Sequence, residues 1–497
     1  MCNVSPFLLP LCGNAGMANL TMECCGYRVG SPDSGKINRL LFAHENWWAL
    51  NDYIRLLTNN PNFAKLWGAQ VISLLGDWFN TIVLSTLVAR YSGGSGLAIS
   101  LFLMSRFLPP LFVGPFAGVL VDRFDRKAIL IYSDILRTGV VLLFLFAASP
   151  DRLWLIYVLT IIQFTISAIF EPGRSAILPA LVSHQGLVLA NTLSSITWSV
   201  MLAVGAIIGG IVGALFGPVI ALTIDALTFA VAAFLIWTID VPKDHIPVVE
   251  HDPDDSGSLL DGLRYLRRNP AIAAVLLVKG GGSLGNIDTL MTIYATEIFV
   301  IGLNGQLSLG ILYSSFGLGA IMGPLLLNRF NNGSVLRMAQ LITIGFMLAV
   351  AGWVTISIGN TLLVIAIALV IRAMGGSANW TYSSVIIQKS VPDRLLGRVF
   401  ALDYASFQLA TVFTIIVHGT VIDFLRSGVS STYALFDVSA VMFASSSIDL
   451  LSPVTAHDLR PLAIVTTIVS IVPLALWMGI MPRMKRRHQR MQVSTVR

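Results

Sequence analysis

From residue 63 onward this chain keeps returning to apolar stretches of 18 residues or more, each long enough to cross roughly 30 Å of hydrocarbon as a helix. Twelve such spans can be read, at 63–90, 96–121, 128–148, 153–171, 191–216, 218–240, 271–299, 306–328, 335–357, 361–381, 399–425 and 461–481. Backbone polar groups have no water to bond in lipid, so a crossing segment must be a helix or part of a closed barrel. Short strands of alternating polarity are absent here, which leaves helices. Composition agrees: 55% hydrophobic residues against 12% charged is far too little charge to clothe a soluble globule, where about a quarter is usual. The expected fold class is therefore an all-α membrane protein with twelve transmembrane helices.

The segment before residue 63 is not one of the spans. Its FLLPLC stretch is short, no cationic region precedes it and no small-residue cleavage site is evident, so it does not read as a secretory signal, which leaves a cytoplasmic leader or a transit peptide. All four cysteines (Cys2, Cys12, Cys24, Cys25) lie there, so the membrane body has neither a disulfide framework nor a cysteine metal site. No metal or cofactor is expected.

Positive charge sets the orientation. Of the 32 Lys and Arg, four (Arg90, Arg152, Arg426, Arg460) fall near one side and four (Arg106, Arg137, Lys279, Arg372) within spans; the other 32 − 4 − 4 = 24 fall on the opposite side. The bias places both termini in the cytoplasm, and the expected location is the plasma (inner) membrane or an organelle membrane. The tail MPRMKRRHQR at 481–490 faces an anionic leaflet and accounts for the basic balance without nucleic acid.

Two phrases at the edges of apolar runs reveal a duplication. RLLTNNP (55–61) and RYLRRNP (264–270) share an offset of 209, which also pairs Gly76 with Gly285, Gly96 with Gly305, Phe107 with Phe316 and Gly114-Pro115 with Gly323-Pro324. Between 55–115 and 264–324 fourteen positions are identical. Six spans return a chain to its starting side, so the copies are parallel repeats about an axis along the membrane normal. The expected division is a cytoplasmic leader (1–62), a six-helix half (63–240), a linker (241–270) and a second half (271–482). An outer-side insert at 427–460 interrupts that second half, and a basic tail (483–497) closes the chain. STYALFDVSAVMF within the insert reads as a surface-lying helix.

The loop between spans 2 and 3, GVLVDRFDRK at 118–127, is similar to the signature G-x-x-x-D-R-x-G-R-[RK] of the major facilitator superfamily. Gly118, Asp122, Arg123, Arg126 and Lys127 match, while Asp125 stands where a glycine is usual. The resemblance implies a latch between the halves, with Gly118 allowing close helix approach and Asp122 capping helix 3. In span 5, Gly205, Gly209, Gly213 and Gly217 recur every four residues, a row that clears one flat helix face for a packing partner. GAIIGG at 205–210, with Gly209 and Gly210, resembles the superfamily's antiporter motif except that Ala206 replaces a proline. EPGRSAILPALV (171–182), VPDRLLGRVFAL (391–402), SLLGDWF (73–79) and IDALTF around Asp225 resemble the subgroup of bacterial enterobactin and macrolide exporters. GGGSLG at 280–285 satisfies nucleotide-binding and hydrolase patterns in letters only, because it lies inside span 7 and reads as a point of flexibility or close packing. The chain is not expected to be an enzyme.

Ionisable residues at membrane depth mark a pathway, since each costs at least about 2.5–3.5 kcal/mol there. Asp77 and Asp288 rank first because they stand on spans 1 and 7, which line the cavity throughout the family. Arg106, Lys279 and Arg372 are counter-charge or anion-ligand candidates, and Asp225 either joins the pathway or bonds a neighbouring helix. Asp134 and Arg137 read as a structural pair. The resemblance implies a secondary transporter working by alternating access, with proton-coupled export of amphipathic small molecules as the leading reading. A lysophospholipid flippase-like transporter of the same fold and a non-transporting receptor or scaffold remain as alternatives. The partners expected are the lipid bilayer, small-molecule cargo and protons.

Overall fold

In the computed structural model, which describes residues 51–147, 149–183, 186–241, 259–427 and 456–494, the twin phrases build the same joint. Asn60 lies at φ −125°, ψ 76° and Asn269 at φ −126°, ψ 72°. Each returns its amide to the turn before it: Asn60 Nδ2 donates to Leu56 O at 2.9 Å, and Asn269 Nδ2 donates to Tyr265 O at 3.0 Å. Proline then opens the next helix at a position where its missing N–H has no helical partner to lose.

Span 1 is Pro61–Tyr91, span 2 Gly96–Arg123, span 3 Arg126–Phe144 and span 4 Leu153–Leu181. Spans 5 and 6 form one run, Gly186–Trp237, folded at Gly217 (φ 78°, ψ 176°). That conformation suits glycine alone, and Pro218 behind it removes the N–H a continuous helix would use. Gly217 is therefore a corner and not the last member of a packing row, which corrects the reading from its spacing. Among the described residues, eleven helical runs of membrane length, with this one folded in two, give twelve crossings. Span 7 is broken: Pro270–Ser283 stops, residues 284–287 are non-helical, and Asp288–Ile293 resumes, ending in a π turn at Tyr294–Ile298. Spans 8 to 11 are Gln306–Leu327, Val335–Ile358, Leu362–Ser390 and Asp393–Ser427. Span 12 lies in Ala456–Ser494, whose helix runs on through the basic tail. No strand occurs among the described residues. The leader before residue 51 and the expected surface helix at 431–443 lie outside them.

The core is divided unevenly. At the end carrying the loop 92–95, one continuous apolar core takes Ile82, Val83 and Leu84 of span 1 together with Leu290 and Met291 of span 7 and Ile415 and Ile422 of span 11. At the end carrying the loop 124–125 it separates in two. Phe63, Leu66, Leu130 and Leu178 pack within the first six spans, and Val275, Ile342, Ile386 and Val399 within the last six. The halves are thus joined at one end and parted at the other. Their outer faces carry exposed Leu227, Phe234, Ile464 and Ile468, as a multi-pass integral membrane protein requires.

The span 5 glycines serve two partners. A Cβ on Gly209 would stand 3.0 Å from the Phe79 ring and 3.2 Å from the Phe79 Cα, and one on Gly205 would meet the Trp78 indole at 2.9 Å, both on span 1. A Cβ on Gly210 would meet Gln306 O at 2.8 Å and Gly310 Cα at 3.0 Å on span 8, and Gly213 abuts the Gln306 side chain. Gly209→Leu would force span 5 off span 1. The expected loss is about 1–3 kcal/mol, seen as a lower yield of monodisperse protein and a lower unfolding midpoint in detergent. Wild-type yield and midpoint would show that this face tolerates bulk.

Candidate functional site

Gly76 lets span 6 press against span 1, with Thr228 and the Asp225 carboxyl lying where its side chain would be. Asp77, the next residue, is only partly buried. Across from it, Arg106 of span 2 makes no hydrogen bond or ion pair among the described residues; its guanidinium lies 4.9 Å from the Phe164 ring centre. Tyr313, Asp77 and Asp288 are near enough to act on its charge, so Arg106 lies in the field of acids from both halves without bonding to either. The Trp78 and Tyr313 rings, 5.3 Å apart, close the same locality from spans 1 and 8.

The break in span 7 supplies the other acid. Asn286 Nδ2 donates to Asp288 Oδ2 at 3.0 Å, and the Asp288 N–H donates back to Asn286 Oδ1 at 3.0 Å. Arg372 of span 10 donates to the carbonyl of Gly285, which the break leaves without a helical partner, and stands 5.5 and 5.6 Å from the Trp353 and Phe316 ring centres. Gly285 repeats the role of Gly76: a Cβ there would lie 2.6 Å from Trp353 Nε1 and 3.0 Å from Ser470 Oγ of span 12.

Lys279 does not join this centre. It is buried and ion-paired with Asp403 of span 11, with its ammonium 4.4 Å from the Trp380 ring centre. The offset of 209 maps Lys279 to Gln70, Asp403 to Ser194 and Trp380 to Glu171. Those residues also meet: Arg174 Nη1 donates to Gln70 Oε1 at 3.4 Å and to Ser194 Oγ at 3.3 Å, and Arg174 Nη2 donates to Glu171 Oε2 at 2.9 Å. Each half thus neutralises the same three-helix junction with a cation, from span 4 in one and span 7 in the other. Half-exposed Glu171, Trp380 and Tyr404 face the gap between the halves. Sequence reasoning passed over Arg174, Tyr313 and the partnership of Lys279 with Asp403.

The loop 2–3 cluster acts within its own half. Arg126 Nη1 donates to Ala176 O at 2.9 Å and Lys127 Nζ to Ile239 O at 2.7 Å, while Arg123 is exposed. The residue that caps helix 3 is Asp125, whose Oδ1 accepts from Ala128 N at 2.7 Å; Asp122 stands in the last turn of span 2, before that cap. Nothing lies within 4 Å of a Cβ on Gly118, so the close approach expected there is absent. Asp134 and Arg137 pair at 3.5 Å, the guanidinium lying between the Phe170 and Phe229 rings.

The residues that bridge the halves are at the other end. Asp423 of span 11 accepts from Ser95 Oγ at 2.8 Å, Gly96 N at 2.7 Å and Leu97 N at 3.0 Å, capping span 2 from across the interface. Arg426 donates to Gly93 O at 3.1 Å and also to Gly94 O. Ser100 Oγ donates to Ile415 O at 2.7 Å, and Gln408 Nε2 donates to Phe107 O at 2.8 Å, the deepest such bond. None of the described hydrogen bonds joins the halves beyond that level, so the charged centre lies at the head of a gap open toward the loop 124–125 end.

Replacing Lys279 with Met strands a buried carboxylate, an expected loss of about 3–5 kcal/mol. Lys279→Met combined with Asp403→Leu recovers most of it. Unfolding midpoints of the single and double variants in detergent test this; equal losses in both would mean the pair carries no coupling.

Residues 66–415 match the family model described as Major Facilitator Superfamily. The chain is 30% identical over 335 residues to Macrolide efflux protein A of Enterococcus faecalis, covering 64% of this chain and 98% of that one. It is 28% identical over 394 residues to Macrolide efflux protein A of Streptococcus pyogenes, covering 75% and 92%. Among solved structures, a bacterial homologue of the human lysosomal transporter Spinster, in an inward-facing and unoccupied conformation, superposes with a TM-score of 0.62 at 14% identity, covering 85% of this chain and 98% of that one.

Proposed function

This chain belongs to the major facilitator superfamily and is a transporter, and on that premise we propose that it exports amphipathic small molecules in exchange for protons. The observation that carries the reading is Arg106, bonded to no acid, in the field of both Asp77 and Asp288 at the head of the gap. A carboxyl that is reachable from the gap, set beside a guanidinium with no fixed partner, has two stable arrangements. Protonated, Asp77 leaves Arg106 free to hold an acceptor on the cargo; ionised, it takes Arg106 for itself. Cargo and proton then compete for one site, which is sufficient for exchange.

The broken span 7 favours protons over a metal cation as the coupling ion. Unwound carbonyls in other transporters coordinate Na⁺, but here Arg372 already donates to Gly285 O. Asn286, at the position equivalent to Asp77, cannot titrate, so coupling is asymmetric between the halves, with Asp288 auxiliary. The positive-inside pattern puts the loop 124–125 end, both termini and the leader in the cytoplasm of a plasma (inner) membrane protein, so the gap opens inward. The relatives' names make a macrolide the first cargo to try.

In reconstituted vesicles, Asp77→Asn is expected to abolish uphill macrolide transport driven by a pH gradient while preserving exchange at equilibrium. Full gradient-driven accumulation by that variant contradicts the assignment.

A further inference from the structure

Behind Asp77 lies a carboxyl that the exchange step above does not use. Asp225 of span 6 has no exposed surface, and neither of its oxygens has a hydrogen-bond partner among the described residues. The groups facing it are few. From span 1 come Asp77 and Asn80, whose amide Nδ2 has no other partner and faces the carboxyl as a hydrogen-bond donor, just beyond close bonding distance. From span 3 comes Arg137, already bonded to Asp134 and held between two phenyl rings. From span 6 itself, Thr228 Oγ1 donates to the Asp225 main-chain oxygen at 2.7 Å and so is not available to the carboxyl. One neutral amide, with no cation in contact, is too little to hold an ionised carboxylate at this depth, so in this state the group carries its proton.

We propose that Asp225 is a second, internal proton site, which takes the coupling proton from Asp77 and keeps it out of the gap while cargo is exchanged. The proposal rests on the proton-coupled reading of Asp77. A proton from the gap first neutralises Asp77. The Asp77 O–H bond then breaks as an O–H bond forms on the Asp225 carboxylate, leaving Asp77 ionised beside Arg106 and Asp225 neutral. Reversal of the same step returns the proton. Gly76 brings the two acids into one locality, because its missing side chain lets the Asp225 carboxyl lie against span 1 beside the residue that precedes Asp77. The second half keeps the geometry without the chemistry: Gly285 receives Ser470, and Asn286 stands for Asp77. Only one half can store a proton this way.

Infrared pH-difference spectra of the full-length protein in lipid test the site directly. Two protonated-carboxyl bands are expected in the wild type, one exchanging rapidly in D₂O and one slowly. Asp225→Asn and Asp225→Ser, the latter borrowing the residue type of Ser470, remove the slow band; Asp77→Asn retains it. In vesicles both Asp225 variants accumulate at least tenfold less macrolide under a pH gradient while keeping equilibrium exchange. The absence of a slow band in the wild type overturns the proposal whether or not the variants fold, and so does wild-type accumulation by Asp225→Asn. Loss of coupling in Asp77→Asn but not in Asp225→Asn leaves the Asp77 reading standing and removes this one. Normal accumulation by Asp77→Asn overturns the coupling reading itself.

Discussion

The structure hangs on the carboxylate of Asp423. It accepts from two backbone amides and one hydroxyl at the start of span 2, where the unsatisfied N–H groups and the helix dipole favour an anion. Hydrogen bonds to a charged group contribute about 1.5–3 kcal/mol each, so three of them outweigh any single neutral contact across the interface. Gly94, at φ 75°, leaves room for Arg426 and Glu297 beside the same turn. That end is closed while the other is divided into two cores. A reversible clamp of modest energy is what alternating access needs.

Duplication explains why there are two seams and why they differ. Ala214 is the residue equivalent to Asp423 and Gly210 the one equivalent to Gly419, 209 positions earlier in each case. In one seam Gly210 packs on Gly310 and Gly302 on Ala214, backbone against backbone. In the other, Gly419 packs on Gly96 and the acid takes over at the rim. One seam is therefore held by close packing, which changes little with ionisation, and the other by charge, which responds to it. The same divergence runs through the interior, where Gln70, Ser194 and Arg174 in one half answer Lys279 and Asp403 in the other.

Much of this was legible in the letters because period and offset are geometric. Apolar length gave the crossings, and the twin Asn-Pro phrases gave the repeat down to matching backbone angles. Asp77, Arg106 and Asp288 could be chosen because ionisable groups at depth are scarce and need a cavity. What failed was partnership. Spacing put Gly217 in a packing row, but only coordinates show its positive φ. The family pattern assigned the cap to Asp122, yet the departure from that pattern, Asp125, is the residue that caps. Lys279 looked like a cavity cation because its partner lies 124 residues away on span 11. Asp423 drew no notice near the end of a span, since an acid there is unremarkable until the helix it caps is known.

Alternation between the halves is the central claim, and paired spin labels measure it directly. With Cys2, Cys12, Cys24 and Cys25 replaced by serine, Asn191→Cys with Gln388→Cys reports on the gap end. Asp151→Cys with Ile358→Cys reports on the clamped end; all four positions are exposed. Adding Asp423→Asn weakens the clamp, and the account predicts a population with shorter distances across the gap end and longer ones across the clamped end. Distance distributions that stay unchanged at both ends, or lengthen together, would contradict it.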